Sequence, residues 1–553
     1  MPTSSGQPTE TRASAFWRTS TAEAEGVDPA GIRALIDAYD ADPAIDPHAL
    51  IVVRHGAVVA SAQWAPYATT RPQLVYSLSK SFTSTAAGFA AAEGLLDLDT
   101  SAVDYFPEYA DSVAPESRRI LVRHLASMAT GHLQDMIVSF WQDREHPIRQ
   151  FFATPPEREP GTVFTYNQLA TYTLGVIVQR RSGQRLTDYL QTRLFEPLGI
   201  PPLGWQQQPA DVELGFSGLF APPEAIAKLG RLYLDGGVWD GERLLPEWWV
   251  KEATSLQVAN ATPGDPLAPE SDWAQGYGFQ FWMSRHGFRG DGAFGQFCLV
   301  LPEQDAVVAI TAQVHDMQQE LNLVWEHLLP AFHDEPLAPR PDGGEALLGL
   351  ELSIPFPADL RPFAQLDASA AGEYRSVGDP DAPDGYPQLT RVVLQRDADG
   401  WTVALHEDPA GSASADGSQR PTTSAVPLDD AVDDPDRASA QGWIAAVAVP
   451  QTPSTPTGSV GGRVGDGSWA VTEGGDSGTL EVPIAARGGI LDADSVATPR
   501  IDVAFIDTPH RLTLTFDTQA STVTAQWTSR SLGFAGAYQL RAVRPGESFV
   551  VER

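Results

Sequence analysis

Apolar positions alternate between helical spacing and continuous runs along the first 335 residues. Asp28 precedes Ile32, Leu35, Ile36 and Tyr39, which fall on one face of a helix that Asp28 caps. The runs at 49–53 and 57–60 flank His55-Gly56 and predict a hairpin. A second hairpin is predicted at 297–301 and 306–310, turning at Pro302-Glu303-Gln304-Asp305, with a helix carrying Leu321, Val324, Trp325, Leu328 and Leu329 after it. Between the hairpins lie helical segments. One starts at Ser77, carries Thr83, Ala86, Ala87, Phe89 and Ala90, and is apolar nearly all round, so burial is expected. Others are predicted at 120–128, from Tyr166 through Leu174, Val176 and Ile177, at 222–236 and at 246–254. Both ends of this region therefore supply strands to one antiparallel sheet, flanked by helices and a helical subdomain, an α+β fold.

Residues 336–365 are rich in proline, glycine and acid and read as a linker. Helical periodicity is absent afterwards. Short strands are predicted at 392–394, 401–405, 443–449, 501–506, 512–516 and 523–527, a spacing that suggests a smaller all-β barrel or sandwich over 366–553. A Ser/Gly/Ala/Asp-rich insertion at 407–442 is expected to be mobile, and the polar residues 1–14 to be disordered.

The net charge of -34 works against nucleic acid and anionic membrane as partners. One cysteine, Cys298, excludes a disulfide framework, and its apolar surroundings suggest a buried strand residue. The polar N-terminus carries no secretory signal pattern, and no apolar run reaches the ~20 residues of a membrane span, so a cytoplasmic location is expected.

Lysine is scarce. Of 37 Lys and Arg residues only three are lysines, Lys80, Lys228 and Lys251. Lys80 sits in Tyr76-Ser77-Leu78-Ser79-Lys80-Ser81-Phe82. A helix beginning at Ser77 puts both side chains on one face, one turn apart. Free N–H groups and the positive dipole end at its N-terminus favour an alkoxide and the oxyanion that follows. A desolvated lysine has a lowered pKa and can take the serine proton, whereas arginine cannot.

The chain from 15 to 335 resembles the serine β-lactamase and penicillin-binding-protein superfamily, in its class C-like branch of esterases and D-aminopeptidases. Val75-Tyr76-Ser77-Leu78-Ser79-Lys80-Ser81-Phe82 is similar to the first motif of that family, and residues 93–99 and 124–132 to its next landmarks. Pro160 to Gln168 resembles the Tyr-x-Asn motif, which maps Tyr166 as a proton carrier and Gln168 to the asparagine position as a substrate contact. The Lys-Thr-Gly or His-x-Gly motif falls on Gly290-Asp291-Gly292, implied as substrate-binding, without its lysine. Arg289 next to it either replaces that lysine or is a solvated surface arginine. The resemblance further implies an oxyanion hole from the backbone N–H groups of Ser77 and Ala293. No cofactor and no metal are implied.

Two motifs are decoys. Gly290-x-Gly292-x-x-Gly295 matches a dinucleotide fingerprint, but a strand rather than a helix is predicted to follow. Gly475-Asp476-Ser477-Gly478 resembles a protease nucleophile turn, yet neither His406 nor His510 sits in a supporting motif. The acidic group at 429–436 lacks calcium-loop spacing. The expected function is that of a serine hydrolase cleaving a carboxylic ester or a small amide or peptide through an acyl-enzyme. β-Lactamase, D-amino-acid peptidase or DD-carboxypeptidase activity is one alternative, and a non-turnover acyl-binding sensor or scaffold is another. Accessory β-barrels accompany some D-aminopeptidases of this superfamily, which keeps that alternative open, and the C-terminal domain is expected to cap or border the cleft.

Overall fold

The two apolar hairpins meet in one sheet. The computed structural model describes residues 17–262, 264–339, 347–377, 389–407, 459–473, 482–493, 496–532 and 537–547. Strands β1 (Ile45–Arg54) and β2 (Ala57–Ala65) turn at His55 and Gly56, whose φ values of 46° and 73° suit a two-residue connection. Strands β3 (Trp282–Met283), β4 (Phe288–Gly292), β5 (Gln296–Leu301) and β6 (Ala306–Val314) form the other half. β1 and β6 pair antiparallel, Ile51 opposite Ala309, and join the two halves. β1, β5 and β6 are buried along their whole length, which explains their continuous rather than alternating apolar pattern.

Helices cover both faces. α1 (Pro29–Ala41) is capped by Asp28, which accepts the Ala30 N–H at 2.9 Å, a cap contributing about 1 kcal/mol. With α5 (Met317–Leu323) it buries Ile32, Leu35 and Leu321 against Val52 and Val308. The opposite face carries α2 (Ser79–Ala92), α3 (Gln168–Ser182) and α4 (Pro223–Leu234). Gly230 lets α4 lie close on the sheet, since a Cβ there would stand 2.6 Å from Val307 and 2.8 Å from the Cys298 sulfur. Cys298 is the buried strand residue expected.

Within the segment expected to link the domains, β7 (Leu350–Ser353) adds to the same sheet, parallel to β2. The seven-stranded order is β7-β2-β1-β6-β5-β4-β3. Three or four residues of extended chain leave too little pattern to distinguish an edge strand from a connector.

The C-terminal region is a closed barrel rather than a sandwich. Its eight strands are β8 (Gly372–Ser376), β9 (Leu389–Asp397), β10 (Gly400–Glu407), β11 (Ser459–Asp466), β12 (Ile484–Ala493), β13 (Val496–Ala504), β14 (Arg511–Asp517) and β15 (Thr522–Trp527). The order runs β12-β11-β10-β9-β8-β15-β14-β13 and closes where β13 pairs back onto β12. Val392, Leu394, Trp401, Val403, Ile501, Leu512 and Phe516 fill it. Strands β8, β11 and β12 were not expected, because glycines and charges break their alternation. The expected disordered residues 1–14, the insertion at 407–442 beyond Glu407, the acidic group at 429–436, the strand at 443–449 and the Gly475 to Gly478 decoy lie outside the described residues.

The barrel docks on the first sheet through buried and part-buried charges and shared apolar core. Arg511 donates to Asp46 at 2.5 and 3.1 Å, and Arg71 donates to Asp507 at 2.9 Å. Arg487, fully buried, donates to the carbonyls of Ile354 and Pro355 at 2.7 Å. Ala485, Ala504 and Ile506 of the barrel belong to the same apolar cluster as Val52 and Val308. Arg511→Met would strand the Asp46 carboxylate in this interface and is expected to cost about 3 kcal/mol. Urea unfolding checks this, and an unchanged midpoint would mean that docking does not depend on the pair.

Candidate active site

Ser77 lies in a tight turn over Tyr76–Leu78 that runs directly into α2, so the helix proper starts two residues later than expected. Tyr76 has φ 46°, a left-handed conformation rare for a bulky residue. The turn is held from below. Ser79 Oγ donates to the Tyr76 carbonyl at 2.5 Å and accepts the Leu219 N–H at 3.1 Å, while the Val75 N–H donates to the Leu219 carbonyl at 3.0 Å. Residues 73–76 and 78–80 are buried, and Ser77 alone in this run is half-buried.

Lys80 is 2 % exposed, and its Nζ donates to Ser77 Oγ at 3.2 Å, Gln168 Oε1 at 2.7 Å and the Phe216 carbonyl at 2.7 Å. The ammonium also lies 4.8 Å from the Tyr166 ring centre. Burial lowers its pKa to about 7, with Asp135 and Asp291 opposing that drop. Three acceptors match the three protons of an ammonium, so the group is satisfied in its charged form yet poised to lose a proton near neutrality.

The second motif divides its tasks among three residues. Tyr166 stacks on Trp282 with ring centres 5.4 Å apart and meets Tyr277 edge-on. Burial pushes its phenol well above the usual tyrosine range, against a hydrogen bond with the Ser77 hydroxyl. The asparagine of this segment, Asn167, is turned away and caps α3, accepting the Leu169 N–H at 3.0 Å. Gln168 takes the place beside Lys80, and its longer side chain covers the reach. Gln168, expected as a substrate contact, accepts from Lys80 Nζ through Oε1. Asp135 completes the group. It accepts the Gln168 N–H at 2.9 Å and the Ile137 N–H at 3.2 Å, and burial raises its pKa to about 6. Asp135 escaped sequence reading because it sits in an irregular loop with no spacing to the other groups.

The third segment closes the site from the sheet. A Cβ at Gly292 would stand 2.2 Å from the Val75 carbonyl oxygen and 3.1 Å from Leu78 N, so the end of β4 lies flush against the Ser77 turn. A Cβ at Gly290 would meet Leu78 at 2.3 Å and Ser81 at 2.8 Å. Gly290 therefore packs on α2, and the lysine of the family motif has no room at this position. Ala293 is half-buried between buried Gly292 and Phe294, the same exposure pattern that marks Ser77. Asp291 borders Lys80 and Tyr166, and burial raises its carboxyl pKa to about 6 despite Arg289. Arg289 is no surface residue. Wholly buried beside Trp273, it donates to Asp291 at 2.9 Å, the Asp272 carbonyl at 2.8 Å and Ser284 Oγ at 2.6 Å.

β5 follows Gly295, so the dinucleotide fingerprint has no helix behind it. Among the described residues no group of three or more His, Cys, Asp or Glu side chains is arranged to hold a metal ion, and no helix is long and apolar enough to cross a membrane.

Residues 32–329 match the family Beta-lactamase. Over 287 residues the chain is 27 % identical to the 6-aminohexanoate-dimer hydrolase of Paenarthrobacter ureafaciens, covering 47 % of this chain and 71 % of that protein. Over 268 residues it is 25 % identical to Penicillin-binding protein 4 of Amycolatopsis lactamdurans, covering 42 % and 70 %. The solved structure of a D-amino acid amidase from Ochrobactrum anthropi is 17 % identical with a TM-score of 0.41, covering 54 % of this chain and 98 % of the other. With residues 32–329, more than half its length, matched, the chain belongs to the Beta-lactamase family of hydrolases, carrying a closed β-barrel behind the family domain.

Proposed function

We propose that this protein hydrolyses a carboxylic ester or a small amide through an acyl-enzyme on Ser77. The observation that carries the reading is the Lys80 amine, buried, with a pKa near 7, and 3.2 Å from Ser77 Oγ. A neutral Lys80 takes the serine proton as Oγ attacks the carbonyl carbon. The tetrahedral oxyanion forms against the N–H groups of Ser77 and Ala293. On collapse the leaving group takes a proton from the Tyr166 phenol, which stays neutral at working pH and is resupplied from Lys80. Water then attacks the acyl carbonyl, its proton passing to neutral Lys80 directly or through the Tyr166 hydroxyl.

The surroundings favour a substrate without a carboxylate at the site. Asp135 and Asp291 border it, Gly290 leaves no place for the motif lysine, and Arg289 is committed to Asp291. These features support an ester or amide over a β-lactam or a C-terminal D-peptide, both of which present a carboxylate.

Wild type and Ser77→Ala incubated with p-nitrophenyl acetate and butyrate test the reading. Sustained turnover in wild type and none in Ser77→Ala is expected. A single burst without turnover would indicate a sensor, and equal rates would remove Ser77 from the chemistry. A base must be unprotonated to act, so kcat/KM is expected to fall below pH about 7 and level off above it. Lys80→Arg, whose guanidinium cannot release a proton, is expected to lose at least about a hundredfold in kcat at every pH. Gly292→Ala would push β4 off the Ser77 turn, and a displacement of about 1 Å there is expected to cost about a hundredfold in kcat. A Gly292→Ala enzyme with wild-type kcat would show that the turn tolerates that shift.

A further inference from the structure

The barrel reaches the site from behind. Tyr76 OH and His510 Nε2 are 2.5 Å apart, a hydrogen bond between the residue preceding Ser77 and a residue of the C-terminal domain. His510 Nδ1 lies 3.0 Å from Ser529 Oγ, and the His510 carbonyl accepts the Phe505 N–H at 3.0 Å. The imidazole is therefore held at both nitrogens and at its backbone.

A second residue completes the arrangement. Phe294, which follows Ala293, has φ 67°, and its ring lies 5.3 Å from Tyr76 and 5.4 Å from His510, edge-on to both. Each backbone N–H of the oxyanion pair thus has an aromatic residue in the left-handed region beside it. The two aromatics pack on each other and on one barrel histidine. Leu74, Phe220 and Val543, from the segment that follows the barrel, seal this small cluster. Left-handed conformations of bulky residues are strained and persist only where the surroundings impose them. Here both domains supply the surroundings: Ser79, Leu219, Leu74 and Phe220 from the first, and His510 and Val543 from the second.

We propose that His510 is a positioning residue, which holds the Ser77 and Ala293 N–H groups in mutual register through Tyr76 and Phe294. The inference rests on the acyl-enzyme reading above. Burial lowers the His510 pKa to about 3, so the ring is neutral, with one donor and one acceptor nitrogen. With Nδ1–H directed at Ser529, Nε2 accepts from the Tyr76 hydroxyl. The tie is thus a fixed, uncharged hydrogen bond rather than a proton path to the substrate.

The experiment compares Tyr76→Phe, His510→Leu, the double variant and His510→Gln in the full chain, with p-nitrophenyl butyrate, measuring kcat and KM separately beside the thermal midpoint. Tyr76→Phe and His510→Leu are each expected to lower kcat by about tenfold to a hundredfold, with KM nearly unchanged. The double variant is expected to be no worse than His510→Leu alone, since the Tyr76–His510 bond can be lost only once. His510→Gln, which can still accept from Tyr76, is expected to recover most of the rate. Should His510→Leu fail to fold, Tyr76→Phe decides alone, because it removes one oxygen and no volume. Wild-type kcat in Tyr76→Phe, additive losses, or a loss carried by KM would overturn the proposal. If Ser77→Ala is inactive while Tyr76→Phe keeps wild-type kcat, this inference fails and the acyl-enzyme reading stands. If Ser77→Ala keeps turnover, both fall.

Discussion

An amine enclosed by protein has to find acceptors for its protons or give one up, and Lys80 is balanced between the two. Its three acceptors come from three separate parts of the chain: the turn at Ser77, the start of α3 at Gln168 and the Phe216 carbonyl. Helix α2, buried along nearly its whole length, fixes the stem of the lysine, so these acceptors have to be brought to it. The packing of α3 on α2 and the short strand at Leu219–Ala221 serve that requirement. Lys80→Met would remove the charge without replacing the three contacts, leaving two strong acceptors facing an apolar group, the costly half of a broken hydrogen bond.

The two domains are not independent modules on a string. Apolar residues of β12, β13 and the turn after it enter the same core as β1 and β6, and Asp46 on β1 is paired from β14. Removing the barrel would expose that core and unpair the charges, so loss of activity on deletion would say little about the site. Single-atom changes such as Tyr76→Phe separate the barrel's effect on geometry from its effect on folding.

Much of the site was legible because its chemistry is local. Ser77 and Lys80 need a three-residue spacing on a helix, and the sequence displays it beside an apolar run that guarantees burial. Tyr166 and Gly292 were legible through motif likeness. The contact of Gln168 to Lys80 was not legible, because which of the adjacent Asn167 and Gln168 turns inward is set by the start of α3. Asp135 and His510 were illegible for another reason. His510 lies 434 residues from Tyr76, and no pattern in either segment refers to the other. The sheet and the first-domain helices followed from periodicity, whereas β7 and the glycine-interrupted strands of the barrel exist only through pairing with neighbours. Barrel closure is a property of the assembled sheet, and short alternating strands are compatible with a sandwich until the last pair forms.

The lysine scarcity that pointed to the site also shapes the molecular surface. Lys80 and Lys228 are 2 % and 4 % exposed, and Lys251, on the short helix Glu247–Ala253, is the single lysine side chain that solvent reaches freely. Among the lysines, reagents that acylate amines therefore meet Lys251 alone. Attachment of a dye, a polymer or a solid support through Lys251 would hold every molecule by the same point, leaving Lys80 shielded within the fold.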